Sequence, residues 1–269
     1  MNPNQALWEK GNFSQIAGFM RESGEALVAA LGVRPGMRVL DVGCGDGTTA
    51  LPSARAGASV LGVDISRPLV AAANARAREA GLANLKVQEG DACNLEGVPD
   101  AAFDLATSIF GAMFAPKPFE VAKSMVRVTK PGGRVVMGNW IPGDPTFVSQ
   151  LLKVCSGFTP PPPEGFISPM LWGVEKHIVE RFGQAGIPAE RIAMTPTTFW
   201  FLNQQSPERF IELFRDYYGP TMNAYDAARK NGKEADLHRQ LVELANSKNE
   251  AANGGTRIPA TYLLVTVRR

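Results

Sequence analysis

The chain has 269 residues, 45% of them hydrophobic and 20% charged, with a formal net charge of +2. Such a composition gives a globular chain with a sizeable core, and without a dense Lys/Arg tract it presents no electrostatic footprint for nucleic acid. No apolar run approaches the ~20 residues needed to span a bilayer, no signal peptide opens the chain, and Cys44, Cys93 and Cys155 lack paired or metal-ligand spacing, so a cytoplasmic protein with reduced thiols and no bound metal is expected.

Residues 1–35 read as a helical arm. One helix is expected over Ala6 to Met20, carrying Leu7, Trp8, Phe13, Ile16 and Phe19, and a second over Glu22 to Leu31. Aromatic residues exposed so near a terminus are costly, so the arm is expected to fold over something. Packing against the domain is the plainer expectation, and a lid on a ligand pocket the sharper one. Pro35-Gly36 then ends the helix, and Arg38 to Val42 reads as a buried strand running into Gly43-Cys44-Gly45-Asp46-Gly47-Thr48. Glycines at alternate positions allow close approach of a ligand to main chain, and the helix starting at Thr49 leaves amide donors free. A dinucleotide is disfavoured. The nicotinamide fingerprint needs its third glycine one residue later, where Thr48 stands, and the Asp46 carboxylate would repel a pyrophosphate. As a plain turn former Asp46 would be equally at home.

The pattern Asp41-x-Gly43-x-Gly45-x-Gly47 resembles the first motif of the class I S-adenosylmethionine-dependent methyltransferases. It is most similar to the small-molecule branch that includes the ubiquinone and menaquinone biosynthesis methyltransferases. The resemblance covers residues 36 to 140 well and the remainder loosely. It implies an α/β fold, a doubly wound and mostly parallel seven-stranded sheet, with S-adenosylmethionine as cofactor and an N-terminal segment that helps to close the site.

Ala58 to Ile65 reads as a second strand ending in Asp64, 23 residues after Asp41 and suited to accept both ribose hydroxyls. Ser66 is expected to cap the following helix, Leu69 to Ala80. Leu85 to Ala92 is the third strand with its exit loop, where the resemblance assigns Asp91 to the adenine amino group and the Ala92 amide to a ring nitrogen. Phe103 to Phe110 is the fourth strand. After it stands Ser108-Ile109-Phe110-Gly111-Ala112-Met113-Phe114, without the Asn/Asp-Pro-Pro-aromatic motif of adenine-N6 enzymes and without a metal-binding carboxylate. Phe110, Met113 and Phe114 suit a greasy wall or core packing equally. A helix over Pro118 to Val128, a Lys130-Pro131-Gly132-Gly133 turn and a strand over Arg134 to Trp140 complete this part. The residues expected at the cofactor are therefore Asp41, Gly43, Cys44, Gly45, Gly47, Thr48, Asp64, Ile65, Asp91, Ala92 and Ser108.

Beyond the core at 36–140, residues 141–171 read as loop-rich, with Thr159 to Pro163 a stiff connector. Residues 172–202 and 256–269 are expected to complete the sheet, and 203–255 to form helices. Both insertions are expected to cap the site. Of 22 aromatic residues, 14 lie between Trp140 and Tyr225, so most must fill the cap's own core while a few suit an apolar acceptor. Catalytic candidates are weak: His177, better placed than His238, as a base, and Tyr217 and Tyr218 for orienting a substrate. The function expected is methyl transfer to oxygen, nitrogen or carbon of a hydrophobic or aromatic small molecule. A nicotinamide-dependent oxidoreductase and a non-catalytic S-adenosylmethionine-binding module are the alternatives.

Overall fold

The computed structural model describes residues 4–269. The arm comprises α1 (Gln5–Lys10), α2 (Ser14–Ala17), a short 3-10 turn and α3 (Arg21–Ala30). The single helix expected over residues 6–20 is thus broken. The break falls at Gly11, where a Cβ would stand 2.2 Å from the Tyr217 carbonyl oxygen, so the chain bends close against a neighbouring helix.

Strands and helices then alternate: β1 (Arg38–Val42), α4 (Ala50–Arg55), β2 (Ser59–Asp64), α5 (Arg67–Glu79), β3 (Leu85–Glu89), β4 (Phe103–Ile109), α6 (Pro118–Val128) and β5 (Thr129–Trp140). After them come α7 (Phe147–Ser156), α8 (Glu175–Gln184), β6 (Ile192–Asn203), α9 (Pro207–Tyr217), α10 (Gly219–Lys230), α11 (Glu234–Lys248) and β7 (Thr256–Arg268). The seven strands form one sheet in the order β3-β2-β1-β4-β5-β7-β6. Strands β1 to β5 pair in parallel, while β7 runs antiparallel to both neighbours, with Arg134 opposite Arg268 and Ile192 opposite Val267. The order reverses between β1 and β4, and at that switch point an open parallel sheet leaves a crevice beyond its strand ends.

Because alternate strand residues face opposite ways, the sheet has a core on each side. Val39, Val60, Leu105 and Val136 pack beneath Leu27, Leu51, Ala54, Ala73 and Ala77 of α3, α4 and α5. Leu40, Ala106, Val135 and Met137 face the other side, which Val121 and Met125 of α6 and Ile178 and Phe182 of α8 cover. Helix α7 lies inside the stretch expected to be loop. It buries Phe147, Val148, Leu151 and Cys155, a helical spacing that the neighbouring prolines mask in the sequence. With α9, α10 and α11 it forms a helical layer cored by Phe147, Phe201, Phe210 and Phe214, whose rings stand 4.7–6.2 Å apart. Part of the aromatic surplus is absorbed there.

Candidate functional site

The bend after β1 is pressed between neighbouring main chains. The amides of Gly43 and Cys44 both donate to the Val63 carbonyl, at 2.7 and 3.2 Å. Gly43 has φ +66°, and a Cβ there would strike Gly111 Cα at 2.8 Å, so only glycine lets the loop touch the backbone beyond β4. Gly45, at φ +56°, differs. A Cβ there would meet only the Phe13 ring, at 3.9 Å, and would otherwise stand in open space. This bare segment forms one side of a cavity at the carboxyl ends of β1 to β4.

Gly43, Cys44, Gly45, Thr48, Asp64, Ile65, Asp91 and Ala92 all line that cavity, as does Asp46. Asp64 joins two strand ends: its Oδ2 accepts from the Gly45 amide at 2.8 Å and its Oδ1 from the Ser66 amide at 2.9 Å. Burial raises its pKa, and those amides oppose the rise. Ser66 does not cap α5 with its side chain. Its hydroxyl donates instead to the Trp8 carbonyl at 3.3 Å, tying the arm down. Asp91 accepts from the Cys93 amide at 2.8 Å.

Three of the expected residues stand behind the cavity. Asp41 is buried, and its carboxylate accepts from the hydroxyls of Thr49 at 2.6 Å and Thr107 at 3.2 Å. Burial pushes its pKa up to about 6 against the pull of those two bonds. Ser108 donates to the Val42 carbonyl at 2.7 Å and accepts from the Ala112 amide at 2.9 Å, fixing the backbone beyond β4. Gly47 is turned toward Leu51. Asp46 is more than a turn former. Its Oδ2 takes Arg21 Nη2 at 2.8 Å, and Arg76 Nη1 lies 3.3 Å from its Oδ1 while donating to the Asp46 carbonyl. Asp46 Oδ1 and Arg21 Nη1 are nevertheless both buried without a hydrogen-bond partner.

The opposite wall is aromatic: Trp8, Phe13, Phe110, Phe114 and Phe199, with Met20. Phe110 has φ +62°, a left-handed conformation that is costly for a bulky residue. Its ring lies flat on Trp140 at 3.7 Å and meets Phe199 and Tyr262 edge-on, contacts that hold it there. Met113, grouped with this wall in the sequence, is buried away from the cavity. Trp8, Phe13 and Phe199 were not identified individually as lining residues. The aromatic spacing of the arm is the only signal that pointed to the first two.

None of the lining residues comes from 141–171 or 203–255, so the expected cap does not cover the cavity directly. The arm does, and the helical layer braces the arm through Tyr218, whose ring stands 6.0 Å from Trp8 and 6.1 Å from Phe13. The catalytic candidates are not brought to the site. His177 sits on the outer part of α8, 3.4 Å from Glu180; His238 meets the Tyr225 hydroxyl at 2.8 Å; Tyr217 is outside the cavity; and Tyr218 is buried behind the arm's aromatics. None of the four lines the cavity.

Sheet order, the antiparallel last strand and a glycine loop at the switch point together define the Rossmann-like methyltransferase fold. A family model described as a methyltransferase domain matches residues 40–137. An uncharacterized protein of Mycobacterium tuberculosis is 34% identical over 246 residues, covering 90% of this chain and 86% of that one. Nocamycin O-methyltransferase from Saccharothrix syringae is 35% identical over 127 residues, 46% of this chain and 45% of that one. Among solved structures, the YcgJ protein from Bacillus subtilis superimposes with a TM-score of 0.56 at 20% identity, over 92% of this chain and 98% of that one. The chain belongs to the class I S-adenosylmethionine-dependent methyltransferases.

Proposed function

We propose that this enzyme transfers the methyl group of S-adenosylmethionine to an oxygen, nitrogen or carbon of a hydrophobic or aromatic small molecule bound against Trp8, Phe13, Phe110, Phe114 and Phe199. The observation that carries this reading is a single cavity with bare, polar main chain on one side and an ionisable-group-free aromatic wall on the other.

The donor set fits the cofactor. Gly45 leaves room where any side chain would intrude. Asp64 is the ribose ligand in this reading, and Asp91 with the Ala92 amide reads the adenine edge. The Asp46 carboxylate, which lines the cavity at the loop, carries the charge that suits the ammonium of an amino-acid end. Bound there, the cofactor supplies a methyl group on a sulfonium, open to in-line displacement. The aromatic wall aligns a flat acceptor, and the arm excludes water, so orientation and a dry site supply the rate.

The test is methyl release from S-adenosylmethionine across a panel of phenols, enols and aromatic amines, read as S-adenosylhomocysteine formed. Turnover with apolar aromatic acceptors is expected. Tight cofactor binding without release from any acceptor would identify a binding module instead, and preferential binding of a nicotinamide dinucleotide would overturn the reading altogether.

A further inference from the structure

A second concavity lies at the other end of the sheet, where the parallel strands begin. The Gly32–Met37 loop, Asp104 at the head of β4, Lys130 to Arg134 of β5, Glu190-Arg191 ahead of β6 and the last two residues frame an open groove of about 1040 Å3. Six cations line it, Arg34, Lys130, Arg134, Arg191, Arg268 and Arg269, against the acids Asp104 and Glu190. The groove therefore carries +4 on a chain whose formal total is +2, which leaves −2 for the rest.

These charges are not compensated locally. Lys130 pairs with Asp104 at 2.7 Å, but among the described residues none of the five guanidiniums meets a carboxylate side chain. Arginines elsewhere do: Arg55 reaches Glu25 at 3.0 Å, Arg67 reaches Glu9 at 2.9 Å and Arg209 reaches Glu212 at 2.5 Å. Two of the five are fixed in place by main-chain carbonyls, Arg134 by Leu31 and Arg269 by Thr129, while Arg34, Arg191 and Arg268 are exposed. Pinned guanidinium forks facing an open groove are preorganised for bidentate anion recognition.

We propose that this groove docks an acidic protein segment presenting several Asp or Glu side chains across its width. Its lining is spread over five separate segments of the chain, which suits an extended acidic segment making several ion pairs. Nucleic acid fits less well, because no aromatic residue lines the groove to stack a base. A bilayer fits less well too, since the groove is concave and the exposed large apolar residues, Phe166 and Ile167, lie in the proline-rich loop rather than at its rim.

The probe is a fluorescein-labelled 15-residue poly-L-glutamate peptide, titrated with the full chain and read by anisotropy at low and physiological salt. Saturable binding that weakens with salt is expected, with at least a tenfold loss in the double variant R191E/R268E. That variant should keep its melting temperature and its affinity for S-adenosylhomocysteine, and the control R209E/R239E should bind the peptide as the parent does. Absence of saturable binding, equal binding by R191E/R268E, or tighter binding of a 15-base-pair RNA duplex or phosphatidylserine vesicles through the same residues would each overturn the assignment.

Discussion

Two aspartates at adjacent strand ends illustrate how far a residue's role depends on its neighbours. Asp64 faces the cavity and spends one lone pair of each oxygen on a main-chain amide, which leaves the others for a ligand. Asp64→Ala should weaken S-adenosylhomocysteine binding by about 1.5–3 kcal/mol, the scale of a charged hydrogen bond, and calorimetry reads this directly. Asp41 faces inward, and its pKa of about 6 stands above the 3.8 of an ordinary aspartate. The folded chain therefore binds this proton more tightly than the unfolded chain does. Its contribution to stability is fully present below pH 3.8 and is lost as the pH rises through about 6. Asp41→Asn removes the titration, so its stability relative to the parent should improve by about 2–3 kcal/mol between pH 4 and pH 8. Urea unfolding at the two pH values measures it, and a pH-independent difference would show that the fold does not raise the Asp41 pKa. Both acids were legible in the sequence as strand-end carboxylates. Which one faces the ligand was not, because one residue of register decides it.

Among the α-helices, α1 is the one that buries no residue fully, and its last two residues, Glu9 and Lys10, make polar ties in two directions. Glu9 receives Arg67 through both carboxylate oxygens at 2.9 Å, and Lys10 reaches Asp226 at 2.6 Å and Asn223 at 2.9 Å. Helix α1 thus spans from the start of α5 to α10 with Trp8 over the cavity. Elements with few buried contacts open locally well below the global unfolding free energy, and surface ties of this kind are modest and salt-screened. Glu9→Gln combined with Asp226→Asn should speed S-adenosylhomocysteine release about two- to fivefold, followed by Trp8 fluorescence, with salt producing the same trend in the parent. Arg67 holds the Glu9 carboxyl down at about 2, so this tie persists above pH 4.5 and fails as the pH falls toward 2. An off-rate indifferent to both variants and salt would mean the arm does not gate the site. The arm's aromatic content was readable in the sequence, but its break was not, because Gly11 bends where it meets Tyr217, a contact between distant parts of the chain.

At the scale of the molecule, the sheet divides its labour between two ends. Ligand-facing loops cluster where the parallel strands finish, and the arginine groove sits where they start. The core strands and the glycine loop could be read because buried parallel strands are short apolar runs, and glycines and acids mark their exits. The helices of 203–255 follow their expected pattern as α9, α10 and α11, but α7 is hidden among prolines, and the segment expected to lie over the cavity meets the arm instead. Those placements arise from packing between distant segments, which local periodicity does not encode. The layer's core should be as stringent as any other, so Phe210→Ala, which removes a fully buried ring, should cost about 3–5 kcal/mol in urea unfolding. The central claim is that bare main chain at Gly45 is the surface on which the cofactor lies. Calorimetric titration of S-adenosylhomocysteine into the parent and into Gly45→Val tests it most directly, alongside circular dichroism of both. Clear binding by the parent is expected, and none by a variant that keeps the sheet's spectrum; equal binding by the folded variant would mean that the cofactor does not lie on Gly45.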